Sequence, residues 1–81
     1  MKYSEAIADR ILSLCNERDI TLNMLASLSG LRQSTLYNIV SGNTKSPGIR
    51  TLNLVAKGLN IKISQLLDFP LIDEMRYQED E

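Results

Sequence analysis

Residues 22–42, LNMLASLSGLRQSTLYNIVSG, decide how this 81-residue chain folds. Thr21, just ahead of the stretch, suits the N-cap of a short helix running from Leu22 to Ser29, and Gly30 suits the left-handed position that ends it. Leu31 then turns an apolar side chain back toward the interior, so the next helix must start almost at once. It is expected over residues 33–41, with Gly42 as its stop. At ~100° per residue, Leu36, Ile39 and Val40 fall on one arc of that helix and Gln33, Ser34, Tyr37, Asn38 and Ser41 on the opposite arc. The outward arc carries amides, hydroxyls and one tyrosine, with no Glu or Lys. A helix face that only meets water usually carries charge, so this composition points to contact with another molecule's donors and acceptors. Small Ala26 and Ser29 let a neighbouring helix approach closely. The layout is a helix-turn-helix, whose second helix presents an outer face and an N-terminal end that a B-form major groove is wide enough to admit.

The flanking sequence supplies the rest of a bundle. Residues 4–18 place Ile7, Ile11, Leu14 and Cys15 on one helical face, with Ser4 as the expected N-cap. Cys15 reads as a small core residue, because nothing cationic or nucleophilic is patterned around it. After a polar loop over residues 43–48, Ile49, Leu52, Val55, Ala56 and Leu59 mark the buried stripe of a fourth helix, closed near its end by Gly58. Ile63, Leu66, Leu67 and Phe69 mark a short fifth helix that stops at Pro70. The expectation is an all-α, compact five-helix bundle. Residues 1–69 form its domain, followed by an acidic C-terminal tail over residues 70–81, PLIDEMRYQEDE. Leu71, Ile72, Met75 and Tyr77 recur in the tail near helical spacing, which leaves three roles open: packing on the bundle, a dimer contact, or disorder.

Composition narrows the class. A content of 43% hydrophobic and 23% charged residues is that of a soluble globular chain, and 81 residues hold one core. Cys15 is the only cysteine and histidine is absent, so neither an intramolecular disulfide nor a Cys/His zinc site can form. No cofactor is expected. No apolar run approaches the roughly 20 residues that span a bilayer, and nothing at the amino end directs export, so the expected location is cytoplasmic, away from membranes. Without histidine, a metal-ligand cluster or a glycine-rich phosphate loop, the chain does not read as an enzyme. The net charge of −1 hides an asymmetry: residues 1–67 carry eight basic and four acidic side chains, residues 68–81 one basic and six acidic. A basic body suits a polyanion, although solvated charge gives the same pattern.

Leu25-Ala26, Gly30-Leu31, Leu36, Ile39, Gly42, Pro47, Thr51-Leu52 and Leu59 together resemble the phage repressor and Cro type of helix-turn-helix, the XRE family of bacterial and phage regulators. The resemblance covers about residues 7–69. It implies a transcriptional regulator, such as a repressor, that binds double-stranded DNA as a homodimer on operator-like sites. It places base reading on Arg32, Gln33, Ser34 and Asn38, with Thr35 close by. Arg matches the guanine O6/N7 edge and Gln or Asn the adenine N6/N7 edge. DNA-backbone contacts fall on Thr21 at the start of the second helix and on Asn43, Thr44 and Lys45 in the loop, joined by Tyr37 and by Arg50 early in the fourth helix. The sequence departs from the pattern at three places. Leu22 replaces a glutamine that commonly braces the third helix, and Arg32 and Lys62 stand where a serine N-cap is common, at a cost of about 1 kcal/mol per lost cap. A second reading is a protein-interaction module, such as an antitoxin or anti-regulator, holding a protein partner through the C-terminal tail.

Overall fold

The computed structural model describes residues 2–77. Its helices are α1 (Tyr3–Glu17), α2 (Leu22–Ser29), α3 (Gln33–Val40), α4 (Ile49–Gly58), α5 (Ile63–Leu66) and α6 (Pro70–Glu74), followed by one 3₁₀ turn over Met75–Tyr77. Among the described residues there is no strand. The architecture is all-α, as the periodicity implies, and a short sixth helix joins the five expected ones.

Three of the helices end in the same way. Asp19, Gly30 and Asn60 have φ of 53°, 72° and 58°. After each, the next backbone N–H reaches back over the final turn: Ile20 N to Cys15 O at 3.1 Å, Leu31 N to Ala26 O at 3.0 Å and Ile61 N to Ala56 O at 3.0 Å. This is the Schellman ending, which satisfies otherwise orphaned carbonyls. The apolar residue that follows, Ile20, Leu31 or Ile61, packs against the core in every case. Each stop therefore also aims the chain into the next helix.

The core draws Ile7, Ile11, Leu14 and Cys15 from α1, Leu25 and Ala26 from α2, Leu36 and Ile39 from α3, and Leu52, Val55 and Ala56 from α4. Helix α3 packs on α1 and α2, and α4 lies across α2. That crossing is tight: a Cβ on Gly58 would collide with Ser29 Oγ and come within 3.0 Å of Leu25 Cδ1. Ser29 Oγ is fully enclosed there and, among the described residues, has no hydrogen-bond partner. Gly58 thus serves the helix crossing and does not stop α4; the left-handed residue that ends the helix is Asn60.

Other expectations change for equally local reasons. Ser4 does not cap α1. Lys2 holds that position, its N–H donating to Glu5 Oε1 at 2.9 Å, while Ser4 lies buried within the first turn. Ile49 is 69% exposed. It sits about 70° from the centre of the Leu52–Val55–Ala56–Leu59 stripe and at the first residue of α4, where the helix overhangs the core. Pro70 starts a helix where it was expected only to stop one, because the first helical position needs no N–H donor. Of the three roles open for residues 70–81, the described part packs on the bundle: α6 lies on α1, Leu71 and Ile72 are half-buried, and Met75 is 1% exposed. The core thus continues past residue 69. Glu79, Asp80 and Glu81 of the acidic end lie outside the described residues.

The α2–α4 crossing yields a double-mutant cycle. Ser29→Ala removes an enclosed, unpaired hydroxyl and is expected to raise unfolding free energy by about 1 kcal/mol. Gly58→Ala is expected to cost about 2 kcal/mol despite alanine's better helix propensity, and less in the Ser29→Ala background. Urea denaturation of the four proteins measures the coupling; strictly additive changes would show that Ser29 Oγ does not oppose a side chain at 58.

Candidate nucleic-acid interface

Burial of Leu36 and Ile39 fixes the rotation of α3 about its own axis. Gln33, Ser34, Tyr37 and Asn38 are consequently all exposed, on the arc that periodicity assigns them, and Val40 is half-buried on the inner side. Thr35 lies between the two faces and is half-buried. Arg32 occupies the N-cap of α3 with extended backbone (φ −68°, ψ 144°), is exposed, and makes no side-chain capping bond. The first-turn N–H groups of α3 therefore lack a cap from Arg32, at the helix end where partial positive charge gathers.

The loop after α3 is tied to it. Gly42 turns the chain at φ 83°, and Thr44 N–H donates to Asn38 O at 3.0 Å. Ser41 Oγ also donates to Asn38 O, at 3.3 Å. Asn43 and Lys45 are exposed on either side of half-buried Thr44, so the expected loop contacts are held beside the exposed face of α3. Thr21 caps α2, its Oγ1 accepting from Met24 N–H at 3.1 Å, which leaves the hydroxyl hydrogen available to a phosphate. Arg50 is exposed in the first turn of α4. Leu22, standing where a bracing glutamine is common, packs on the core instead.

Two cations counted in the basic body serve other ends. The Arg10 guanidinium donates to Leu66 O at 3.1 Å and Gln65 O at 2.9 Å, and it lies 5.3 Å from the Phe69 ring centroid. Arg18 Nε donates to Leu59 O at 3.2 Å. From α1 and its C-cap, these side chains satisfy carbonyls at the C-terminal ends of α5 and α4, where a cation is favoured by the helix dipole. Periodicity gave no hint of either role, because the partners lie 56 and 41 residues away in sequence. At the start of α5, the Lys62 side chain provides no cap, and Gln65 supplies only the return half of a capping box, its Oε1 accepting from Lys62 N–H at 2.9 Å. Burial pushes the Cys15 thiol above its ordinary pKa, with Arg18 pulling more weakly the other way. This fits an inert core residue.

A tight helical turn at Gly30, an inward-anchored second helix and an exposed uncharged face define a helix-turn-helix domain. The model of the Cro/C1-type helix-turn-helix DNA-binding domain matches residues 10–71, and the chain belongs to that family. The crystal structure of the prophage Lp1 protein 11 is similar, with a TM-score of 0.80 and 32% sequence identity over 90% of this chain and 97% of that one. No curated protein matches the chain. Among the described residues, no helix is long and apolar enough to cross a membrane.

The open N-cap at Arg32 has a measurable consequence. Arg32→Ser introduces a side chain able to accept from the first-turn N–H groups and is expected to stabilise the fold by about 1 kcal/mol. Thermal and urea unfolding check this; an unchanged or lowered stability would mean that the cap position is already satisfied.

Proposed function

We propose that this chain is a transcriptional regulator that binds double-stranded DNA sequence-specifically, with α3 in the major groove. The observation that carries the reading is the exposed, uncharged face formed by Gln33, Ser34, Tyr37 and Asn38, rigidly set by buried Leu36 and Ile39. A face rich in amides reads base edges, since an amide can offer a donor and an acceptor together to adenine. Arg32 projects from the leading end of α3 and is the guanine reader; Ser34 and Thr35 support the same edge contacts. Thr21, Tyr37, Asn43, Thr44, Lys45 and Arg50 contact phosphates and set the register. The first-turn N–H groups of α3 add a phosphate cradle. A homodimer would set two such helices about 34–36 Å apart, one turn of the duplex, on a near-palindromic site.

Selection from random duplex DNA, followed by gel shift, tests the reading. An enriched motif is expected, and Arg32→Ala/Gln33→Ala/Asn38→Ala should lose about 1–3 kcal/mol of discrimination per contacted base. Retention of the full preference by this variant would reject base reading by α3. Lys45→Ala should weaken binding to all sequences alike, with the slope of log K against log salt reduced in magnitude by about 0.9 per bound protomer. A changed sequence preference with the slope intact would contradict a phosphate role for Lys45.

A further inference from the structure

Behind the loop that carries Lys45 lies a cleft of about 400 Å³. Its walls are Ile7 of α1, Leu52 of α4, Leu67 at the C-cap of α5 and Ile72 within α6. Lys45, Ser46 and Pro47 line it from the loop, and Asp73 from the first turn of α6. The volume is in the range of small-molecule sites, and the composition is theirs too: apolar walls with a few polar groups. Lys45 and Ser46 are both exposed, and among the described residues the Lys45 ammonium has no ion pair or hydrogen bond.

We propose that this cleft binds a small amphiphile, an apolar chain or ring bearing a carboxylate, and that the bound carboxylate draws Lys45 away from DNA. The apolar body fills the space between Ile7, Leu52, Leu67 and Ile72, while the carboxylate accepts from Lys45 Nζ and Ser46 Oγ. Two adjacent donors on the loop select an anion; Asp73 repels it and keeps binding modest. The coupling rests on the phosphate role of Lys45 argued above. One ammonium cannot neutralise both a phosphate and a carboxylate, so the ligand and DNA weaken each other by the same factor. The loop that would respond is bonded to α3 through Thr44 N–H and Asn38 O.

Octanoate, octanol and octylamine, titrated into the full chain without DNA and followed by amide NMR, share an apolar body and differ in head group. Octanoate is expected to bind with Kd of about 1 mM, with saturable shifts at Lys45, Ser46, Leu52 and Ile72, and more tightly than octanol, with octylamine weakest. Lys45→Ala should weaken octanoate about threefold, and Asp73→Asn should strengthen it by a similar factor. In a second arm, saturating octanoate should reduce the magnitude of the wild-type DNA salt slope by about 0.9 per bound protomer, to that of Lys45→Ala, and should not affect the variant. Absence of saturable shifts, or a head-group order that Lys45→Ala and Asp73→Asn do not alter, overturns the site. Octanoate binding with DNA affinity unchanged overturns the competition. Octanoate that dissociates a dimer overturns the proposal and assigns the cleft to a second copy of the chain. Failure to bind DNA without octanoate is failure of the DNA reading alone, because the first arm contains no DNA.

Discussion

Insertion of Leu36 and Ile39 of α3 into the space between α1 and α2 is the contact on which the candidate interface depends. A helix of eight residues has little stability of its own, and its orientation must come from the side chains it buries. With those two positions enclosed, Gln33, Ser34, Tyr37 and Asn38 have only one direction left to face. The Schellman turn at Gly30, with Leu31 seated on the core, sets the angle at which α3 leaves α2. The bond from Thr44 N–H to Asn38 O then holds the following loop beside the same face. The exposed surface is thus a by-product of the buried one.

Two of the molecule's cations serve the fold itself. Arg10 on α1 and Arg18 at its C-cap close the C-terminal ends of α5 and α4, where helices end in unpaired carbonyls. Arg32, Lys45 and Arg50 remain exposed around α3, its loop and the start of α4. Net charge alone therefore overstates what the body offers a polyanion. Arginine suits the structural task, since its planar fork reaches more than one carbonyl at once. At Arg32 local stability is forgone: the helix begins without a side-chain cap, at the place where the N-terminal donors and a guanidinium both face outward. Such a local departure from the rules of helix starts is expected at a functional surface more than in a core.

Helix positions, the buried and exposed arcs of α3, the caps at Thr21 and Gly30 and the core role of Cys15 were legible in the chain, because each rests on spacing within one or two turns. Ile49 and Ser4 were misread for a related reason. Periodicity gives an angle about the helix axis but not where along that axis the neighbouring helix ends. Gly58 carried a correct position and a wrong role: glycine near a helix end suggests a stop, whereas its lack of a side chain is required by Ser29 on a different helix.

By itself, the sequence determined the five helices up to residue 69, the helix-turn-helix unit and the identity of the outward-facing residues, all consequences of short-range geometry and of the side chains' own chemistry. Tertiary structure alone decided that α6 and Met75 complete the core, that Arg10 and Arg18 cap helices elsewhere, and that Lys45 shares a cleft with Ile7, Leu67 and Asp73. These pairings join residues tens of positions apart. They are set by how the helices cross when apolar surface leaves water, a condition that no local pattern encodes.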